Sequence, residues 1–317
     1  MELLTQNLIS PVVLAFVLGM IARAVRSDLE IPAALYQGLS IYLLFAIGLK
    51  GGVALAETPL SELIGPLLIT LALGVVTPFS AFAALRLVGR ISRTDAAATA
   101  AHYGSVSAVT FLAALEATNI AGMNPNGYLP ALVAVLEVPG IIVGLMLAQQ
   151  TGTRGVKAAL HEVVAGKSIF LLLGGMAIGA LCGPVKIESV APLFVHPFKG
   201  MLCLFLLELG MLAAGRLRDL RTAGWRLVVL GCVLPLVHGL LGTMAGSFVG
   251  MTDGGAAVFG AMVGSASYIA APAAVRIALP RASPGIYLPL ALGVTFPFNL
   301  AIGVPLFMTF AKYLNAV

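Results

Sequence analysis

Two short polar runs interrupt a chain that is otherwise strongly apolar. Gly104-Ser105-Val106-Ser107 returns as Gly264-Ser265-Ala266-Ser267, an offset of 160 residues. Gly104 and Gly264 allow the backbone to unwind or to be closely approached. Ser105, Ser107 and Thr110 in the first copy, and Ser265 and Ser267 in the second, supply hydroxyls for freed backbone groups or for a ligand. A helix that resumes after such a break presents unpaired amides and the positive end of its dipole, which suits a small anion. Glycine and serine also serve as small contacts between membrane helices. Their recurrence at matched positions favours binding.

The flanks repeat too. Thr94-Asp95 is matched by Thr252-Asp253, Tyr128-Leu129-Pro130 by Tyr287-Leu288-Pro289, and Pro139 by Pro297, at offsets of 158 or 159. Just before Pro139 stands Glu137, in Val135-Leu136-Glu137-Val138-Pro139. An acid within an apolar stretch is costly and therefore a functional candidate by default. Ionised, Glu137 can help hold a cation beside freed carbonyls; protonated, or paired with an arginine, it is structural. Thr295 and Asn299, near the repeat-related Pro297, add neutral oxygens that suit a weakly held monovalent cation. Lys50 and Glu208 are read as gate or interface charges, without a ligand role. His102 and His238 are read as hydrogen-bonded structural groups, with a proton relay as the alternative.

The elements that position these residues must lie in lipid. Of 317 residues 60% are apolar and 10% charged, and the mean hydropathy is +1.04. Ten stretches are long enough to cross roughly 30 Å of hydrocarbon: 8–25, 31–49, 60–87, 94–116, 127–149, 168–183, 197–215, 224–249, 253–279 and 284–314. With ten crossings, 14 of the 18 Lys and Arg fall on one side, all but Lys50, Lys186, Lys199 and Lys312. The positive-inside rule makes that side cytoplasmic, so both termini are expected outside. Nucleic-acid binding is excluded as an expectation, because the basic residues sit in short turns without an aromatic platform.

Residues 150–167 form the long polar link, so the chain divides into a first five-helix repeat (1–149), a cytoplasmic linker (150–167) and a second repeat (168–317). An odd number of crossings turns the second copy upside down, and the expected fold is all-α, polytopic, with ten transmembrane helices in two inverted five-helix repeats. Eight prolines lie inside spans, where each removes a backbone donor. Cys182, Cys203 and Cys232 lack ligand spacing and are read as packing residues. There is no phosphate-binding loop, no His-Glu-x-x-His pair and no nucleophile elbow, so neither an enzyme nor a catalytic residue is expected. No basic region precedes the first apolar run, and no cleavable signal is expected.

The ordered set Ile47-Gly48-Leu49 with Gly51-Gly52, Tyr103 to Ser107 with Ala113-Ala114-Leu115-Glu116, Pro235 to Gly239, and Gly264 through Arg276 and Pro280 to Phe307 resembles the sodium-dependent bicarbonate transporter family. The resemblance covers essentially the whole chain. It implies a core domain sliding against a gate domain, a homotrimer, bicarbonate uptake coupled to sodium and, in some members, inhibition by a cytoplasmic PII-like protein. Tyr268, Ala270, Lys50 and Glu208 depart from the family pattern, and the mid-chain loop is shorter.

The expectation is a secondary active transporter in the inner (plasma) membrane, importing bicarbonate or a similar small anion with sodium as coupling ion and no other cofactor. Gly104, Ser105, Ser107, Thr110, Gly264, Ser265 and Ser267 would bind the anion; Glu137, Thr295 and Asn299 would border the sodium. An organic-anion transporter or cation–proton exchanger of similar architecture is the alternative within transport, and a membrane-embedded sensor the alternative outside it.

Overall fold

The computed structural model describes residues 9–148, 153–217 and 224–316. The expected placement of the termini, the linker's first residues 150–152, and Arg218 and Arg221 of the charge argument lie outside the described residues. Every element is helical, and no strand occurs among the described residues. In chain order they are α1 (Pro11–Ala24), α2 (Ala33–Glu57), α3 (Leu60–Leu87), α4 (Arg93–Gly104), α5 (Ala108–Ile120), α6 (Leu129–Leu147), α7 (Thr153–Val164), α8 (Lys167–Glu188), α9 (Ala191–Phe194), α10 (Phe198–Leu217), α11 (Trp225–Phe248), α12 (Asp253–Val263) and α13 (Ala270–Ala278). A last span, Pro284–Leu314, includes two π-helical segments, Pro289–Thr295 and Asn299–Gly303.

Eight helical segments among the described residues are long and apolar enough to cross a membrane. Pro11–Ala24 and Asp253–Val263 are apolar but shorter. For α12 the reason is local: the helix stops at Val263, and the chain is not helical again until Ala270. The first break is shorter. Arg93–Ile120 therefore still counts as one apolar span although its helix is interrupted after Gly104.

Packing runs through small residues, as expected where lipid tails remove any apolar incentive for helices to associate. Gly48 and Gly52 of α2 meet Leu172 and Met176 of α8, and a Cβ at Gly48 would lie 2.7 Å from the Leu172 carbonyl. Gly19 of α1 meets Leu207 of α10, and Gly210 of α10 meets Phe16. Thus α1 pairs with α10 and α2 with α8, while α3, α4 and α6 pack on one another and α11 packs on α12.

The caps explain why the helices start where they do. Ser92 accepts from the Asp95 amide at 3.1 Å before α4, and Thr252 accepts from the Gly255 amide at 3.0 Å before α12. Ser92 and Thr252 are 160 residues apart, the offset of the Gly-Ser runs. The cap equivalent to Thr252 is thus Ser92, not the Thr94 that the dipeptide match pairs with it. The sharpest distortion inside a helix is at Gly183, with φ of 67° just before Pro184 in α8. The segments around Pro297 widen to π-helix instead, since proline offers no donor to the turn before it.

Candidate functional site

The two breaks cross and bond to each other. Ser105 and Ser107 are extended, with φ, ψ of −102°, 164° and −88°, 109°. The Ser107 amide donates to the Ser265 hydroxyl at 2.8 Å, and that hydroxyl donates to the Met262 carbonyl at 2.7 Å. In the other direction the Ser267 amide donates directly to the His102 carbonyl at 2.8 Å. Each unwound segment thus supplies a backbone donor to the other broken helix. This satisfies amides that could find no partner in hydrocarbon.

Helix restarts are capped by the same serines. Ser107 accepts from the Thr110 amide at 3.2 Å, and Ser267 from the Ala271 amide at 3.3 Å. The hydroxyls of Ser107, Ser265 and Ser267 therefore already have protein partners, and Thr110 contributes its backbone amide. Ser105 differs. Its hydroxyl is buried and makes no hydrogen bond among the described residues. Leaving a buried hydroxyl unpaired typically costs about 1–3 kcal/mol, and a ligand atom at that point would remove the cost.

The glycines permit the crossing. A Cβ on Gly104 would fall 2.8 Å from both Pro78 of α3 and Gly140 of α6, and one on Gly264 would strike the Pro235 carbonyl and approach Gly239 of α11 at 2.9 Å. Pro78 and Pro235 are themselves 157 residues apart, so each break rests on a span proline at nearly the offset of the Gly-Ser runs. That pairing was open to discovery from spacing alone.

Glu137 faces the first break by helical register. Gly140 of α6 meets Gly104, and Gly144 meets Ala101, so α6 runs antiparallel to α4. Glu137 lies one turn before Gly140 on the same face, level with the residues after Gly104. It is 5% exposed. Asn299 joins the second break: its amide nitrogen donates to the Gly264 carbonyl at 2.8 Å. This fixes the side chain so that Oδ1 is an acceptor, and Oδ1 is buried without a donor among the described residues. Thr295 is engaged on both sides, accepting from the Tyr103 hydroxyl at 2.6 Å and donating to the Gly231 carbonyl at 2.8 Å. Its hydroxyl ties α4, α11 and the last span together. The wide π turn before Pro297 carries it there.

The remaining candidates separate. His102 stacks on Tyr287 at 4.4 Å and bonds the Ala98 carbonyl through Nδ1, while His238 Nε2 meets the Ser80 hydroxyl at 2.7 Å. Ser80 donates to the Thr77 carbonyl, so His238 is the donor in that pair. Each histidine thus has one bonded ring nitrogen, while His102 Nε2 and His238 Nδ1 are buried without a hydrogen-bond partner among the described residues. Lys50 and Glu208 line different cavities, Lys50 with Glu116 and Lys199, Glu208 with Arg23 and Glu30. Two loop contacts went unforeseen: Asp95 Oδ1 accepts from the Ser283 amide at 2.8 Å, and Asn126 Oδ1 accepts from the Thr252 amide at 3.0 Å. Each connects the start of one broken helix to the loop that follows the other.

A chain whose described residues are all-helical, with eight segments among them able to cross a bilayer and a buried polar crossing of two broken helices, is a multi-pass membrane protein with the architecture of a transporter. A model of the Na+-dependent bicarbonate transporter superfamily matches residues 11–312, and the chain belongs to this family. Its members are transporters, not enzymes. Among curated proteins no match to the chain is found.

Proposed function

We propose that the chain imports bicarbonate, or a similar small anion, by symport with sodium, and that the crossing of the two breaks is where both ions bind. The observation that carries this reading is the pair of cross-break bonds, Ser107 amide to Ser265 hydroxyl and Ser267 amide to His102 carbonyl, with Ser105 Oγ, Asn299 Oδ1 and the Tyr268 hydroxyl buried without a hydrogen-bond partner among the described residues. Ser105 Oγ can donate to an anion. Asn299 Oδ1, held as an acceptor, suits a cation, and Glu137 on the facing helix adds a carboxylate. An anion brought alone to the bilayer centre costs several kcal/mol, and a cation bound beside it cancels most of that charge. Coupling follows from the cost of either ion without the other.

The architecture proposed is ten crossings in two inverted five-helix repeats, 1–149 and 168–317, joined by 150–167. The count comes from the eight long segments together with α1 and the broken α12–α13 pair. It is supported by the 160-residue offset shared by the caps, the glycines and the serines of the breaks, and by the exchanged loop contacts of Asp95 and Asn126. The helices α1, α2, α8 and α10 would form the gate domain and the remainder the core. The resemblance to the family adds a homotrimer and, as in some members, a PII-like cytoplasmic regulator; the charge distribution adds a plasma-membrane orientation with both termini outside.

Labelled sodium tests it. Reconstituted protein should take up sodium faster when bicarbonate is present on the same side. A sensor would show no uptake, and a cation–proton exchanger would show uptake that follows the pH gradient and ignores bicarbonate.

A further inference from the structure

A charged cavity lies away from the break crossing. It measures about 370 Å³ and is bounded by α2, α5, α10 and the start of α6. All three of its charged side chains come from different helices: Lys50 from α2, Glu116 from α5 and Lys199 from α10. The carboxylate is spoken for. Lys199 Nζ lies 2.8 Å from Glu116 Oε1, and the Glu116 side chain is only 6% exposed. Lys50 is near enough to feel both partners, but among the described residues no acid lies within ion-pair distance of it; its ammonium stands 5.6 Å from the Phe198 ring. The cavity therefore carries one net positive charge in a partly apolar setting.

Its position is also informative. The cavity is lined by the starts of α6 and α10, whereas Arg93 bonds the Leu147 carbonyl at the other end of α6 and Arg23 lies beside Gly215 near the other end of α10, next to Arg216, so the cavity and these arginines sit at opposite ends of the same helices. The first turns of α6 and α10 open onto the cavity at Pro130 and Phe198, adding two positive dipole ends to the lysine. The carbonyls that end α5 are already engaged, Ala117 by the Ala121 amide and Asn119 by the Gly122 amide. Little opposes an anion there.

We propose that this cavity is an anion-receiving vestibule, in which Lys50 binds a small monovalent anion before it reaches the crossing. The Glu116–Lys199 pair neutralises the second lysine, so that one anion, not two, balances the site. A single ammonium in a partly screened cavity holds such an ion weakly and releases it readily, as an entry station must. The proposal rests on the reading of the chain as an anion importer, but its test does not require transport.

The experiment uses full-length protein in which Cys182, Cys203 and Cys232 are replaced by alanine and Asn119, which lines the cavity one turn beyond Glu116, is replaced by cysteine. Rates of modification by an anionic and a cationic thiosulfonate are compared. Lys50→Gln should lower the anionic-to-cationic rate ratio on the order of tenfold, because one charge attracts one reagent and repels the other. Lys50→Arg should keep the ratio. Sodium bicarbonate should slow modification in the Lys50 protein and not in Lys50→Gln. A ratio unmoved by Lys50→Gln overturns the vestibule, as does the failure of bicarbonate, nitrate and chloride all to slow modification. Protection by chloride or nitrate but not bicarbonate upholds the vestibule and overturns the bicarbonate reading, which separates the two failures.

Discussion

The Ser107 amide reaches the Met262 carbonyl only through the Ser265 hydroxyl, whereas the Ser267 amide meets the His102 carbonyl directly at 2.8 Å. Ser107 and Ser267 are 160 residues apart, and so are His102 and Met262. The same bond is thus made twice, once with a hydroxyl inserted. The inserted group separates serines that structure the crossing from one that is free to bind.

That difference sets the first prediction. Ser265→Ala strands the buried Ser107 amide and should lower stability by about 1–3 kcal/mol. Ser105→Ala removes a hydroxyl that has no protein partner, so stability should hold while anion affinity falls by about 1.5–3 kcal/mol, roughly tenfold or more. Thermal unfolding and uptake kinetics on both variants check this. Equal affinities in wild type and Ser105→Ala would remove Ser105 from the site.

Close backbone approach makes a second prediction. A Cβ at Gly140 would run into the Gly104 carbonyl, while one at Gly38 would meet nothing within 4 Å. Gly140→Ala should therefore cost about 1–3 kcal/mol or more through overpacking, and Gly38→Ala should be close to neutral. The yield of monodisperse protein and its melting temperature report both. Equal behaviour of the two variants would contradict the packing of α6 against the first break.

For coupling, Glu137→Gln keeps the shape and an oxygen but deletes the charge that faces the break. If Glu137 helps hold the cation, the sodium concentration for half-maximal uptake should rise several-fold, with little change in the pH profile. Uptake against sodium at two pH values, in wild type and variant, measures this. A variant that loses its pH dependence and keeps its sodium response would instead make Glu137 the carrier of a proton.

Orientation is tested by labelling. In a background without native cysteines, Ser189→Cys between α8 and α9 should react with an impermeant reagent from outside intact cells, and Gly155→Cys should not. The reverse pattern would invert the charge-based topology and the vestibule with it.

The breaks were legible in the sequence because a helix interrupted in lipid needs glycine to let backbones meet and hydroxyls to repair them, and Gly104, Ser107, Gly264 and Ser267 meet that need. The helical class followed from apolar length. What was not legible depends on contacts between distant helices. Nothing in the spacing of Thr295 says that its hydroxyl joins Tyr103 to Gly231, and the π-helical turns around Pro297 that bring it there leave no separate mark. The four serines of the breaks looked alike, yet among them only Ser105 has a hydroxyl without a hydrogen-bond partner among the described residues. Spacing did contain the pairing of Pro78 with Pro235, which emerges once both are seen against their glycines.

The central claim is that sodium drives a small anion through the crossing of the two breaks. Its most direct test is labelled bicarbonate accumulation in proteoliposomes under an inward sodium gradient, compared with an equal potassium gradient at the same pH. Accumulation above equilibrium with sodium, collapsing when the gradient is dissipated and weakened in Ser105→Ala, is the predicted result. Equal accumulation under both gradients, or none under either, would contradict it.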